Sequence, residues 1–374
     1  MTIKWLVFSD LHFKFENPDT LRLREKLLDY LNKKKVQTDF ILITGDCFYQ
    51  GNFEEEQMES CQKYIEDILK SSHCDRTNLY LIPGNHDLQR SEQRTKAIKD
   101  YMRPDKEMHE VTKAEKDVLF NGFEKFSELF YNLKGENYSG EAKCYNKKNY
   151  RILSINTSIW AGTDQDEGNL SVYNKELIQE CDSISKDEER DEKINIAFMH
   201  HGVEFLRLEE QIKFQQLMED SCIDMVFTGH SHQIGVYTYD NTKLRIQQFT
   251  CGAPLADGYS KPSFFYCEYD TITHEVKCEL LYYYEDIAEW DMAKKHRAFQ
   301  NGIYSFVLPR YAKSIGLNNE KLENSQLYGY GIVNALSMQD FYRIRKQLIE
   351  DAEGNVILAG QSLEIAFGLR DDSK

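Results

Sequence analysis

Residues 3–12 read IKWLVFSDLH, an apolar run that stops at Asp10 and His12. The same design returns as FILITGD over 40–46, LYLIPGNHD over 79–87, INIAFMHH over 194–201 and MVFTGHSH over 225–232. Each run is apolar on both faces, as buried strands of an α/β sheet are. Each ends in residue types that bind metals. A further run, Ile152–Ile155, closes on Asn156. Between the first two runs Leu23, Leu27 and Leu31 recur at helical spacing, and between the second and third Cys61, Tyr64, Ile65, Ile68 and Leu69 form one helical face. Strand, helix, strand, helix, strand opens a layered α/β domain.

The chain has 374 residues, enough for one large domain with an appendage or for two domains. Hydrophobic residues at 41% and charged residues at 29% exclude collagen-like and disordered classes. No apolar run approaches the ~18–20 residues of a membrane-spanning helix. Ser9 and Asp10 interrupt the first apolar run before it takes a signal-peptide layout, so a cytoplasmic location is expected. The nine cysteines are odd in number and form no CxxC, which signals neither a zinc ribbon nor a redox pair but reduced, buried thiols. A net charge of −16 argues against a sequence-independent grip on nucleic acid. It leaves room for a small anionic substrate at a local metal centre.

Three further regions have their own texture. Residues 88–150 form a charged, helix-prone insertion carrying Phe120, Phe123, Phe126 and Phe130, placed as a cap over a site between two strand ends. Residues 234–250 and 263–284 read as long β segments. From 286 onward a tail begins, in which Ser337 and Asp340 make a capping-box signature ahead of Phe341, Ile344 and Leu348. The expected division is a domain over 1–285 and an extension over 286–374 that is a subdomain or a docking element.

Strand ends of a parallel α/β sheet converge on one crevice. That crevice would collect Asp10, His12, Asp46, Asn85, His86, Asp87, His200, His201, His230 and His232, and six of the chain's ten histidines are among them. Carboxylate, amide and imidazole donors together suit Mn²⁺, Fe, Zn²⁺ or Ni²⁺ better than Ca²⁺ or an all-thiolate site. Each fragment alone says little. A lone D-x-H is commonly a surface accident, Asp46 would serve equally as a helix cap, and the glycines are ordinary turn formers. Order, spacing and placement at strand ends, taken together, set the pattern apart.

The ordered set D-x-H, G-D, G-N-H-D, H and G-H-x-H resembles the calcineurin-like metallophosphoesterase superfamily over roughly residues 1–285. The resemblance implies an α/β fold, a four-layer α/β/β/α sandwich with a helical insertion and a C-terminal appendage. It also implies two divalent metal ions, Mn foremost, with Fe, Zn, Ni or Mg as alternatives. Asp10, His12 and His232 would hold one metal, Asn85, His200 and His230 the other, and Asp46 would bridge them. His86 would stand near the leaving group, with Asp87 behind it as orienter. Two cations ~3.5–4 Å apart clamp the attacking and leaving oxygens of an in-line displacement and supply a bridging hydroxide near neutral pH. An imidazole such as His86 can donate a hydrogen bond or a proton to the departing oxygen.

Other residues carry two readings each. Phe48 and Tyr49 follow Asp46 and either stack on a nucleobase or pack the domain. Arg90 contacts a phosphate or is solvated, and Trp160 lines the site edge or fills core. His201 touches substrate or is hydrogen-bonded beneath the site. Gly202 stands where many small-substrate members have proline, while some nuclease members have His-x-Gly. The expected activity is a phosphodiesterase acting on nucleotides or nucleic-acid ends, by in-line attack of the bridging hydroxide. The alternative is a phosphomonoesterase or protein phosphatase. A non-catalytic scaffold would be expected to lose ligands, and every motif position here is filled. The expected partner is a phosphoester and not a membrane. A looser similarity of residues 88–150, and more strongly of Gly252–Tyr269 and the tail, to bacterial members implies a C-terminal extension able to dock a protein partner.

Overall fold

Along the first strand of the computed structural model, side chains alternate between two separate cores. Trp5 and Val7 enter one apolar cluster and Leu6 and Phe8 the other, and all four are fully buried. Period-two alternation with both faces covered requires a layer on each side of the sheet. The structure describes residues 1–13, 17–49, 51, 53–101, 113–140, 142–162, 166–172, 175–240, 245–256, 258 and 260–312.

In chain order, β1 (Thr2–Phe8), α1 (Pro18–Lys34), β2 (Phe40–Ile43), α2 (Glu55–Ser71) and β3 (Leu79–Leu81) form the opening β-α-β-α-β unit. Helices α3 (Glu92–Tyr101), α4 (Lys113–Phe120) and α5 (Glu124–Lys134) follow. The second half runs β4 (Lys143–Asn146), β5 (Tyr150–Ile155), α6 (Lys175–Lys186), β6 (Ile194–Met199), α7 (Leu208–Asp220) and β7 (Met225–Thr228). Two hairpins come next, β8 (Gly235–Asp240) with β9 (Arg245–Thr250) and β10 (Ser263–Asp270) with β11 (Glu275–Tyr284). Strands β12 (Glu289–Met292) and β13 (Ile303–Val307) and the short helix α8 (Pro309–Ala312) close the described chain.

The strands form a seven-stranded sheet ordered β12-β11-β10-β1-β2-β3, with β13 also on β11, and a six-stranded sheet ordered β4-β5-β6-β7-β9-β8. Strands β1, β2 and β3 are parallel, as are β5, β6, β7 and β9. The two sheets face each other across a core of Trp5, Phe40, Ile152, Phe198, Phe227 and Phe249. Leu23, Leu27 and Leu31 of α1 and Cys61, Ile65 and Ile68 of α2 cover the outer face of the first sheet. On the second sheet, Leu177 and Cys181 of α6 and Phe214 and Met218 of α7 do the same. The expected four-layer α/β/β/α sandwich is the fold. Among the described residues no helix is long and apolar enough to cross a membrane.

Two expected boundaries move. The stretch 88–150 is not set apart as a cap over its described length. Phe126, Leu129, Phe130 and Leu133 of α5 join the helical layer, and β4 is the edge of the second sheet. Buried Arg94 of α3 donates to the carbonyls of Leu119, Ser158, Ile159 and Ala161, which stitches this stretch to the turn after β5. The boundary at 285 also fails, because the edge of β11 is covered by β12 along Leu281–Tyr284 and by β13 along Glu275–Glu279. An uncovered edge of that length is an open template for other strands. Buried Trp290 donates to the carbonyl of Leu23, tying the same segment to α1. The signature at Ser337 and Asp340, and the docking role expected of the tail, lie outside the described residues.

Arg310 of α8 fastens this closing segment at the end of the second sheet opposite the metal-ligand motifs. It donates to Asp224 at 2.8 Å, to the Arg190 carbonyl at 3.1 Å and to the Lys193 carbonyl. Burial pushes Asp224 up to about 6, even with Arg310 opposing it. The folded state therefore binds this proton more tightly than the unfolded chain, and stability falls as pH rises through this window. Removing Arg310 leaves a buried carboxylate uncompensated. Arg310→Ala should cost ~3 kcal/mol above neutral pH, and less at about pH 5, where Asp224 takes up a proton. Urea denaturation at about pH 5 and about pH 8 checks this; an equal loss at both would mean the pair compensates no charge.

Candidate metal centre

The loops after β1, β2, β3, β6 and β7 lie side by side at the C-terminal ends of their strands. Backbone bonds lock them together: Asp10 N to Gly45 O at 3.0 Å, His12 N to Asp46 O at 3.0 Å, and Gly229 N to His200 O at 2.9 Å. Asp10, His12, Asp46, His230 and His232 all have positive φ, between 45° and 68°. Such residues are uncommon outside glycine, cost on the order of 1 kcal/mol or more each, and persist where the surroundings over-determine them. Gly84 and Gly229 are required by close approach. A Cβ on Gly84 would overlap the Asp46 carboxylate, and one on Gly229 would overlap the Ser9 hydroxyl.

Seven of the expected ligands converge in two groups that meet at Asp46. In the first, His12 Nε2 lies 2.9 Å from His232 Nε2 and 3.7 Å from Asp10 Oδ1, and His232 Nε2 lies 3.3 Å from Asp10 Oδ1. In the second, Asn85 Oδ1 stands 3.0 Å from both His200 Nε2 and His230 Nδ1. Asp46 Oδ2 lies 3.3 Å from His200 Nε2 and 3.8 Å from His12 Nε2. Two ligands on one cation at ~2.1 Å stand about 3.0–3.5 Å apart, so these spacings fit shared metal ions. Asp10 Oδ1 is buried without a hydrogen bond although two imidazole nitrogens face it, as a ligand atom would be. The Thr44 carbonyl engages His200 Nδ1 at 2.8 Å, which leaves Nε2 as the nitrogen turned to the centre.

The electrostatics divide the histidines of the two groups. Burial opposes an ionised Asp46, but the charges of His200 and His12 outweigh it and hold the carboxyl well below its usual range. Burial likewise opposes protonation of His200, and the Asp46 carboxylate overcomes this and pushes it up to about 9. Burial lowers His12, and burial together with the charge of His200 lowers His230 to about 4. Neutral imidazole is the form that binds metal, which His12 and His230 favour, whereas a cation would have to displace the proton that Asp46 favours on His200.

The remaining expectations divide. His86 is half-buried, and its Nδ1 is engaged by the carbonyl of Tyr49 rather than by Asp87. The orienter assignment of Asp87 is therefore corrected. Its carboxylate accepts N–H groups from Gly84 at 2.8 Å, Phe48 at 2.8 Å and Cys47 at 3.2 Å, so it joins the loops carrying Asp46 and Asn85. Burial and the charge of Asp46 still push Asp87 up to about 7. Phe48 is fully buried and stacked on Phe53, which removes it from any substrate surface. Tyr49 is 39% exposed, stacked on His86 and edge-on to His12. Trp160 is buried. Arg90 is exposed and lines a cleft of about 580 Å³ with Lys96, Lys99 and Gly162, a cleft that includes none of the ligands. His201 is fully buried against Thr157, beside His200 and His230. Sequence reading missed Phe205, whose ring meets His230 at right angles, 4.7 Å between centroids. Its signal was an aromatic in the loop after a ligand, the same signal that singled out Phe48.

The family model for calcineurin-like phosphoesterase matches residues 3–234. An uncharacterized metallophosphoesterase-like protein of Bacillus subtilis, YydB, is 26% identical over 359 residues, covering 92% of this chain and 73% of its own. The UDP-2,3-diacylglucosamine hydrolase of Pseudomonas paraeruginosa is 32% identical over 82 residues, covering 22% of this chain and 32% of its own. Among solved structures, GAP50, the anchor in the inner membrane complex of Plasmodium, superposes with a TM-score of 0.44 at 10% identity, covering 82% of this chain and 88% of its own.

Since Asp46 stands between the two groups and would be the ligand common to both, Asp46→Ala should abolish binding of both metals. His12→Ala should leave one metal per chain. Elemental analysis of the Mn-loaded variants is the readout, and an Asp46→Ala protein that retains two metals would rule out the bridge.

Proposed function

The chain belongs to the calcineurin-like phosphoesterase family, and from that premise we propose that it is a metal-dependent phosphodiesterase acting on a nucleotide or a nucleic-acid end. One observation carries the reading: a complete set of seven ligand side chains in two groups, with one carboxylate between them. Asp10, His12, Asp46 and His232 would hold one divalent cation, and Asp46, Asn85, His200 and His230 the other. Bound there, the cations act as Lewis acids that ease attack at phosphorus and neutralise the charge gathering on its oxygens. The mixed oxygen and nitrogen donors suit Mn²⁺, the ion taken first here, as they also suit Fe, Zn²⁺ or Ni²⁺.

His86 is the proposed acid at the leaving group. The Tyr49 carbonyl fixes its Nδ1, and its own backbone N–H donates to Asp46 Oδ1 at 2.8 Å. Nε2 is then the nitrogen available to deliver a proton to the departing oxygen. The exposed Tyr49 ring beside it offers a face on which a base or ribose-bearing group stacks, worth ~1–3 kcal/mol per base. The net charge of −16 disfavours wrapping along a polyanion and favours a small substrate or a chain end. The name of the UDP-2,3-diacylglucosamine hydrolase places a nucleotide in that relative's substrate, which points the same way. Nine unpaired cysteines support a cytoplasmic location.

The protein loaded with Mn²⁺ should hydrolyse a bis-aryl phosphodiester, and chelation should abolish the activity. A folded sample containing both metals yet inert on phosphomonoesters, cyclic and linear diesters and nucleic-acid ends would leave a binding scaffold as the function. His86→Ala should keep both metals and lose ~10²–10⁴-fold in turnover. The loss should shrink as the leaving group becomes more acidic. The same loss across the whole leaving-group series would remove His86 from the acid role.

A further inference from the structure

Two residues after His200 the chain has a glycine that its backbone does not ask for. Gly202 has φ −69° and ψ 168°, a conformation open to any residue. What excludes a side chain there is Glu204. A Cβ at 202 would lie 2.4 Å from both carboxylate oxygens of Glu204, so glycine is what lets that carboxylate fold back over the loop after the ligand His200.

The carboxylate is both reachable and held. Val203 and Leu206 on either side of it are buried, whereas Glu204 is exposed. Gln248 of β9, fully buried, donates from Nε2 to Glu204 Oε2 at 3.0 Å. The amide oxygen of Gln248 accepts the Val203 N–H at 3.1 Å and the Tyr239 hydroxyl at 3.3 Å, which fixes the orientation of the amide. A carboxylate offers about four acceptor sites. Among the described residues Gln248 fills one of them, and Glu204 Oε1 accepts no hydrogen bond. The rest of this acceptor is open beside the half of the centre built by His200 and His230, where the next residue, Phe205, sets its ring 4.7 Å from that of His230.

A carboxylate in this place repels a phosphoryl group and attracts donors on the rest of the substrate. A phosphodiester has two arms. His86 and Tyr49 stand on the His12 side, where the leaving arm is placed above. Glu204 and Phe205 stand on the His230 side, which gives them the arm that stays on phosphorus. Cations bound at the centre would oppose a positively charged arm nearby, and neutral hydroxyls meet no such opposition.

We propose that Glu204, positioned by Gln248 and admitted by Gly202, binds the sugar hydroxyls of the retained arm and so selects ribonucleoside over deoxyribonucleoside esters. This rests on the phosphodiesterase reading above and adds to it the class of the retained group. The 2′-hydroxyl, donor and acceptor at once, is the group by which a site tells ribose from deoxyribose. Holding the acceptor in place through a buried amide makes the contact available without reorganisation when substrate arrives.

The test compares, in Mn-loaded protein, the p-nitrophenyl 5′-phosphodiesters of 5-methyluridine and of thymidine, which differ in the 2′-hydroxyl alone. With p-nitrophenolate leaving, the nucleoside is the retained arm. In wild type, kcat/KM for the ribose ester should exceed that for the deoxyribose ester by about 10- to 100-fold, as for a hydrogen bond to a charged group. Glu204→Ala should bring the ratio near one. Gly202→Ala, which keeps the carboxylate but displaces it, should lower the ratio as well, and both variants should hold the metal content of wild type. A ratio unchanged in either variant, or loss of metal from Glu204→Ala, would overturn the proposal. So would p-nitrophenyl phosphocholine outpacing both nucleoside esters in wild type but not in Glu204→Ala, which would assign the carboxylate to a cation. Wild type that hydrolyses bis-p-nitrophenyl phosphate yet treats the two nucleoside esters alike removes the sugar contact alone. Wild type inert on every phosphoester removes the phosphodiesterase reading, and this contact with it.

Discussion

The Asp46 carboxylate is the point at which two sheets, three strand-end loops and both ligand groups meet. One oxygen lies between His200 and His12, and the other accepts the backbone N–H of His86. A charge buried this completely is tolerated only where opposite charge or donors surround it. Its neighbours meet that demand in a graded way: a raised His200 beside it, a backbone donor beneath it, and a glycine at 84 that leaves it space. Moving this carboxylate would disturb the first sheet through the β2 loop and the second through His200, just after β6.

What delivers the ligands there is the parallel arrangement of strands. Parallel strands put all their C-terminal ends on one side of the sheet, and a sandwich of two such sheets brings two rows of ends together. The turns that follow are strained, with Asp10, His12, Asp46, His230 and His232 in left-handed backbone conformations. Strain of that kind is sustained by the cores on either side. Asp87 adds to this restraint from below by collecting three backbone N–H groups from two loops. These bonds tie the loop that carries Asp46 to the loop that carries Asn85.

The sandwich, and the gathering of the candidate ligands at one end of it, were legible in the sequence because each strand and the candidate ligand that ends it are contiguous. IKWLVFSDLH holds both the strand and its polar end, and four more segments repeat the pattern. Roles that depend on contacts between distant segments were not legible. Asp87 reads as the partner of the histidine before it, yet its partners are 39 and 40 residues away as well as at Gly84. Phe48 and Tyr49 are adjacent aromatics after the same ligand, and only the turn decides that one is buried and the other exposed. Strands β12 and β13 were hidden because short edge strands carry little periodic signal, and their register comes from β11 rather than from their own residues.

The central claim is that one buried carboxylate holds two cations in a centre shared between the sheets. Anomalous diffraction from crystals grown with Mn²⁺ tests it most directly. Two manganese peaks should appear, one among Asp10, His12 and His232 and the other among Asn85, His200 and His230, with the Asp46 carboxylate between them. A single peak, or a pair lying away from Asp46, would contradict it.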